Sequence, residues 1–281
     1  MWEQRYGILC PQRSCTNIRL YSDCELKTLL NISLLNEHGL KISKIARLSP
    51  EELAKEVMAI TGSCKEYPMQ LGALVLAMVE LDEDRFSKVF NASVQQVGIE
   101  QTMTQMVYPF LERIGILWQT GNINPAQEHF VSLMVRQKLI AAVDKYPVKN
   151  DGTVPRYLLF LPEGELHEIS LTLQNLIIRA RGGHVLYLGQ SLPYCDLLAA
   201  ARVYQPHYIS TVFTSKPDRE QIQEVLHKLH QDLPETAIYV SGNLVKDPTL
   251  ELPDNIWRPC GPSCFISLVE HNNQHFFRRT A

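Results

Sequence analysis

From Tyr157 to Val240 the chain alternates between short β-branched or aromatic runs and longer amphipathic stretches. The runs are Tyr157–Leu161, Val185–Leu188, Tyr208–Phe213 and Ala237–Val240. The stretches between them, near 167–181, 194–204 and 217–232, have helical length. Strands separated by helices are joined by right-handed crossovers. This pattern therefore predicts a parallel sheet with helices on both faces, a doubly wound, Rossmann-like α/β domain. In such a sheet ligands bind beyond the carboxyl ends of the strands, which directs attention to the loop after Leu161.

With 281 residues the chain is longer than one such domain needs. Residues 66–147 read as helical throughout, with helices near 69–80, 83–97, 99–120 and 125–145. The short breaks at Leu81-Asp82, Gly98 and Gly121-Asn122 make successive helices antiparallel, a four-helix bundle. Met103, Met106 and Met134 are assigned to its core. A polar linker, Pro147 to Gly152, separates the bundle from the α/β region, placed at 155–281.

Residues 1–62 form a third part. Cys15 to Tyr21 reads as a turn and strand. Ser22-Asp23 caps a helix whose apolar positions run from Leu26 to Leu35, and Gly39 ends it. Leu40 to Ala46 is a short second helix, and Ser49-Pro50 starts a third. Charge is unevenly spread. Residues 1–48 hold seven Lys or Arg against four acids, within a chain of net charge −3. A basic end on an acidic body fits a contact with nucleic acid and equally fits a solvated face.

No apolar run is long enough to span a bilayer, and Met1-Trp2-Glu3-Gln4-Arg5 lacks the apolar core of a signal peptide. The seven cysteines include no CxxC pair, which argues against a disulfide scaffold or zinc ribbon. The expectation is a soluble cytoplasmic protein without membrane contact. P-loop, GxSxG and strand-borne GxGxxG motifs are absent from the sequence. Cys260 and Cys264 are read as separate thiols.

Two segments carry candidate chemistry. The first is Glu165-Leu166-His167, at the end of the first α/β strand. A neutral imidazole can ligate a metal through one nitrogen while a carboxylate accepts a hydrogen bond from the other, and Glu165 is placed for that role. The alternative is an exposed or helix-capping His167. The second segment is Trp118 followed by Glu128-His129, with Ser132 one turn beyond Glu128. An aromatic plate beside a carboxylate and an imidazole suits a flat or nucleoside-like ligand. The alternative puts Trp118 in the bundle core and Glu128 against the helix dipole.

Taken together, the segments resemble one family in order. Glu165-Leu166-His167 resembles the E/D-x-H-x-x-G signature of cobalamin-binding domains. Trp118 with Glu128-His129 resembles the W-x9-E-H signature of the helical cap in CarH/LitR-type light-responsive regulators. Trp2 to Gly7, Arg13 and Thr16 to Ser22 resemble the end of the recognition helix and the wing of a MerR-type domain. The resemblance implies that the chain starts inside a shortened, partial winged-helix segment whose Arg5, Arg13, Arg19 and Tyr21 meet operator DNA, with binding weakened or absent in the shortened chain. It implies His167 as cobalt ligand and Glu165 as its partner, with Trp118, Glu128, His129 and Ser132 toward an adenosyl group. It further places Gly189, Ser210, Ser241 and Gly242 along the nucleotide tail, with Tyr187-Leu188-Gly189 as strand and turn.

The function so implied is non-enzymatic: a regulator whose adenosylcobalamin, held between bundle and α/β domain, sets the oligomer (dimer or tetramer) and DNA binding, in response to light. The alternatives are a corrinoid carrier module of a methyltransferase system and a degenerate regulator without cofactor. The chain departs from the family at Ser170, Val212 and Ser241, which replace Gly, Leu and Gly, and at Gln119, where relatives often carry His.

Overall fold

The computed structural model describes residues 12–13, 19–20, 23–37, 39–60, 68–119, 124–147 and 152–280. The chain divides into two compact units, Met1–Met134 and Val135–Ala281. No helix among the described residues is long and apolar enough to cross a membrane.

In the first unit, β1 (Gln12–Arg13) pairs antiparallel with β2 (Arg19–Leu20). Helices α1 (Asp23–Glu37), α2 (Ile42–Ile45) and α3 (Pro50–Ile60) follow. Gly39 ends α1 with φ +90°, and the Leu40 amide turns back to Leu35 O at 3.0 Å. A capping box starts α3: Ser49 N donates to Glu52 Oε2 (2.8 Å) and Glu52 N to Ser49 Oγ (3.1 Å). The apolar side chains of α1 explain its packing, with Ile32 and Leu35 fully buried.

The bundle helices of this unit are α4 (Pro68–Glu80), α5 (Glu83–Val97), a short α6 (Ile99–Gln101), α7 (Tyr108–Gln119) and the start of α8 (Pro125–Val143). Asp82 caps α5 by accepting from Arg85 N at 2.9 Å, and Gly98 at φ +83° turns the chain into α6. A π-helical turn, Thr102–Val107, joins α6 to α7, so the single helix expected over 99–120 contains an expanded segment. There the buried Thr102 hydroxyl meets Ser93 Oγ at 3.0 Å, giving both polar groups a partner inside the bundle. Phe86 anchors the core against Phe90, Phe110 and Phe130, and Met103, Met106 and Met134 are buried as the sequence predicts.

The second unit holds a five-stranded, wholly parallel sheet in the order β4-β3-β5-β6-β7. Its elements run β3 (Arg156–Pro162), α9 (Ile169–Ala180), β4 (His184–Leu192), α10 (Tyr194–Tyr204), β5 (Tyr208–Val212), α11 (Arg219–Asp232), β6 (Ala237–Ser241), β7 (Ile256–Trp257) and α12 (Pro262–Thr280). β3 is an interior strand, paired with β4 and β5 and buried on both faces, which is why Tyr157 to Leu161 reads as one continuous apolar run. One face packs Leu158, Phe160, Ile209 and Ile238 against Leu197, Leu226 and Leu229 of α10 and α11. On the other, Tyr157, Tyr208 and Tyr239 stack in series, and α12 bonds to the outer two through Asn273 and Asn272.

Three sequence expectations need correction. Gly189 lies within β4, which continues to Leu192, and not in a turn after it; at φ +75° it marks a register shift against Leu159 and Phe160. The fifth strand and α12 were not anticipated, because β7 is only two residues long and α12 is interrupted by polar Glu270 to Gln274. Cys260 and Cys264 are joined as a disulfide across the first turn of α12, where their Cα atoms are 5.8 Å apart.

Thr211 on β5 is fully buried, and its hydroxyl has no hydrogen-bond partner among the described residues. Replacing that hydroxyl by a methyl keeps the β-branched shape and removes the desolvation cost. Thr211→Val is expected to stabilise the sheet unit by about 1 kcal/mol. A lower urea midpoint for the variant would refute this.

Candidate functional site

The site is built on the loop from Glu163 to Glu168, between β3 and α9, at the point where the sheet order reverses. Gly164 at φ +80° lets the chain turn immediately after the strand, and Glu165 N donates to Pro162 O at 3.0 Å. The loop is fixed on one side to the end of β4. Gly164 N donates to Ser191 Oγ (3.0 Å), Ser191 N to Glu165 O (3.2 Å), and Gln190 Nε2 to Leu166 O (2.6 Å).

On the other side it is fixed by the Glu165 side chain, which is wholly buried. Glu165 Oε2 accepts from three successive amides of the loop after β5: Thr214 N (2.9 Å), Ser215 N (2.7 Å) and Lys216 N (3.1 Å). Oε1 accepts from Leu166 N (2.9 Å), His167 N (3.0 Å) and His167 Nδ1 (2.6 Å), with Ser215 Oγ at 3.5 Å. Burial raises the carboxyl pKa, but the bonds from the His167 ring and from the amides of Ser215, His167 and Lys216 outweigh it. The group is held well below the usual carboxylate range. Glu165 is therefore an ionised, acceptor-only group, so His167 Nδ1 is a protonated ring nitrogen, and in the neutral ring the lone pair is on Nε2. The ring projects outward, with 60% of the side chain exposed, and Ser215 Oγ lies 3.2 Å from Nδ1.

Below the loop, Gln174 of α9 connects two other predicted residues. Ser210 Oγ donates to Gln174 Oε1 at 2.8 Å, and Gln174 Nε2 donates to Ser241 Oγ at 2.9 Å. Ser210 and Ser241 thus share one buried amide, whereas Gly189 stands apart in β4. Gly242, at φ +105°, lies against the backbone of Phe213.

In the first unit Glu128 occupies the first turn of α8 and pairs with His129 Nδ1 at 3.2 Å. Ser132 Oγ donates to His129 O at 3.2 Å. Trp118 lies in the last turn of α7, but its side chain is outside the described residues, as are Arg5, Tyr21 and the side chains of Arg13 and Arg19. The sequence reading did not identify Thr214, Ser215, Lys216 or Gln174. The one available signal was Gln174-Asn175, a polar pair flanked by Leu173 and Leu176 in the middle of the helix.

An exposed imidazole braced by a buried carboxylate suits a metal that arrives with its other ligands, as cobalt does in a corrin. Residues 1–52 match the MerR HTH family regulatory protein profile, and residues 70–142 match the B12 binding domain profile. Over these two segments the chain is similar to MerR-type transcriptional regulators and to B12-binding domains. It is 29% identical over 248 residues to the HTH-type transcriptional repressor CarH of Myxococcus xanthus, covering 86% of this chain and 82% of that one. It is 26% identical over 227 residues to the repressor CarA of the same organism, covering 80% and 74%. The monomethylamine corrinoid protein of Methanosarcina barkeri shares the fold, with a TM-score of 0.56 at 11% identity over 69% of this chain and 94% of that one.

Proposed function

We propose that this regulator senses adenosylcobalamin and, through the light-sensitive cobalt–carbon bond of that cofactor, responds to light. The observation that carries the reading is the His167–Glu165 pair. His167 Nε2 supplies the lower cobalt ligand, and Glu165 fixes the tautomer and direction of the ring from the other nitrogen. Trp118, Glu128, His129 and Ser132 contact the upper ligand. Gly189, Ser210, Ser241 and Gly242 border the nucleotide tail. When bound, the cofactor supplies a cobalt–carbon bond that light can break.

In this reading residues 1–62 form the DNA-binding part, 66–147 the helical cap and 155–281 the cobalamin domain. Arg5, Arg13, Arg19 and Tyr21 contact operator DNA. Cofactor occupancy shifts the population toward one oligomer, a dimer or a tetramer, that differs from the free chain in DNA affinity.

The test is gel filtration of the full chain with adenosylcobalamin in the dark. Wild-type protein is expected to retain the coloured cofactor with the spectrum of a His-ligated cobalt, and His167→Ala to lose that spectrum and most of the colour. A colourless wild type, or unchanged retention in His167→Ala, sinks the lower-ligand assignment. Illumination is expected to change the eluted mass, and an unchanged mass removes light from the proposal.

A further inference from the structure

We propose that Arg136 is a positioning residue for the cobalamin site, fixing the His167 loop to helix α8 through an ion pair with Glu168. The inference rests on His167 as the lower ligand and adds a residue to which that reading gives no role.

Glu168 follows His167 directly and is the N-cap residue of α9, yet its side chain makes no capping bond to its own helix. It is nine-tenths buried and turns instead toward α8 and β4. One carboxylate oxygen is ion-paired with the Arg136 guanidinium. The other accepts from the Tyr187 hydroxyl at 3.2 Å. Tyr187 Oη also lies 3.0 Å from Thr172 Oγ1, and Thr172 in turn donates to Glu168 O at 2.9 Å. Each connection fixes the backbone one residue from the ligand.

A carboxylate removed from water needs a compensating charge, and Arg136 supplies it to Glu168. Arg136 is reached from a particular face of α8. It follows Ser132 by four residues and Glu128 by eight, so all three lie on one stripe of a continuous helix. Glu165 fixes the His167 ring within the sheet unit, and Arg136 fixes the same loop to the helix.

The test uses the full chain and adenosylcobalamin in the dark, with affinity and the cobalt spectrum both read. Arg136→Ala and Glu168→Gln are each expected to weaken retention about tenfold and to reduce the His-ligated spectrum, with the double variant no worse than either single one. Arg136→Lys keeps the charge without the guanidinium fork, and recovery to within about threefold of wild type is expected. Additive losses, or variants with a lowered melting temperature but unchanged affinity and spectrum, overturn the inference and leave a merely structural pair. If Arg136→Ala does not fold, the Lys and Gln variants decide by the same criteria. A wild type that retains no cofactor overturns the parent reading and this inference with it. Wild-type binding with silent Arg136 variants overturns the inference alone.

Discussion

Glu165→Ala is expected to destabilise the sheet unit by about 3–5 kcal/mol, a large share of the stability of an ordinary domain. The wholly buried carboxylate collects three amides from the loop after β5, and the amides of residues 166 and 167 together with the His167 ring. Truncation leaves these donors with no acceptor in a space closed to water, and each orphaned donor costs about 1–3 kcal/mol before relaxation. Glu165→Gln keeps the volume but brings two donors of its own into a cradle made only of donors, so it is expected to fall between alanine and wild type.

The pH dependence has a definite sign. The folded carboxyl titrates well below its ordinary value of 4.5, so it stabilises the fold at every pH above that value. That stability is lost as pH falls below about 4.5 toward the folded-state pKa. Urea denaturation at neutral pH and at successively lower pH checks both statements. A Glu165→Ala midpoint within error of wild type at neutral pH, or an equally steep acid loss in the variant, would show that the cradle contributes no net stability.

The sequence revealed this centre only where it is local. Glu165 and His167 are two residues apart, and their pairing follows from a strand end and a short loop. The other half of the cradle lies some fifty residues downstream, in a Thr214-Ser215-Lys216 turn whose side chains give no sign that its backbone amides converge. Gln174 illustrates the same limit. A polar side chain in mid-helix looks like a solvent-facing position until Ser210 and Ser241 approach it from two parallel strands. The sheet itself was legible because buried parallel strands are apolar on both faces, whereas β7 was too short to show a period. Arg136 could not be matched to Glu168 from spacing, since nothing local indicates which buried carboxylate a surface arginine on α8 reaches.

Gly242 shows where a family motif and a physical cause separate. The resemblance assigns Ser241-Gly242 to close approach of a nucleotide tail, yet the absent side chain is already required by the protein. A Cβ at residue 242 would lie 2.2 Å from Phe213 O and 2.6 Å from Phe213 C, backbone atoms that cannot rotate away. Phe213 is held there by its N–H donating to Ser241 O (2.8 Å) and by Leu244 N donating to Phe213 O (3.1 Å), so the two strand ends are tied together. The backbone at φ +105° adds conformational strain for any L side chain. Gly242→Ala is therefore expected to cost about 3–5 kcal/mol without any ligand present, a fall in melting temperature on the order of 10 °C. Gly39→Ala is the control. Its φ of +90° is similar but its Cβ meets nothing within 4 Å, so about 1–2 kcal/mol is expected from strain alone. Thermal melts of the two variants without cofactor separate the causes: equal, small losses, with Gly242→Ala impaired only in cofactor retention, would show that the absent side chain serves the nucleotide tail and not the strand ends.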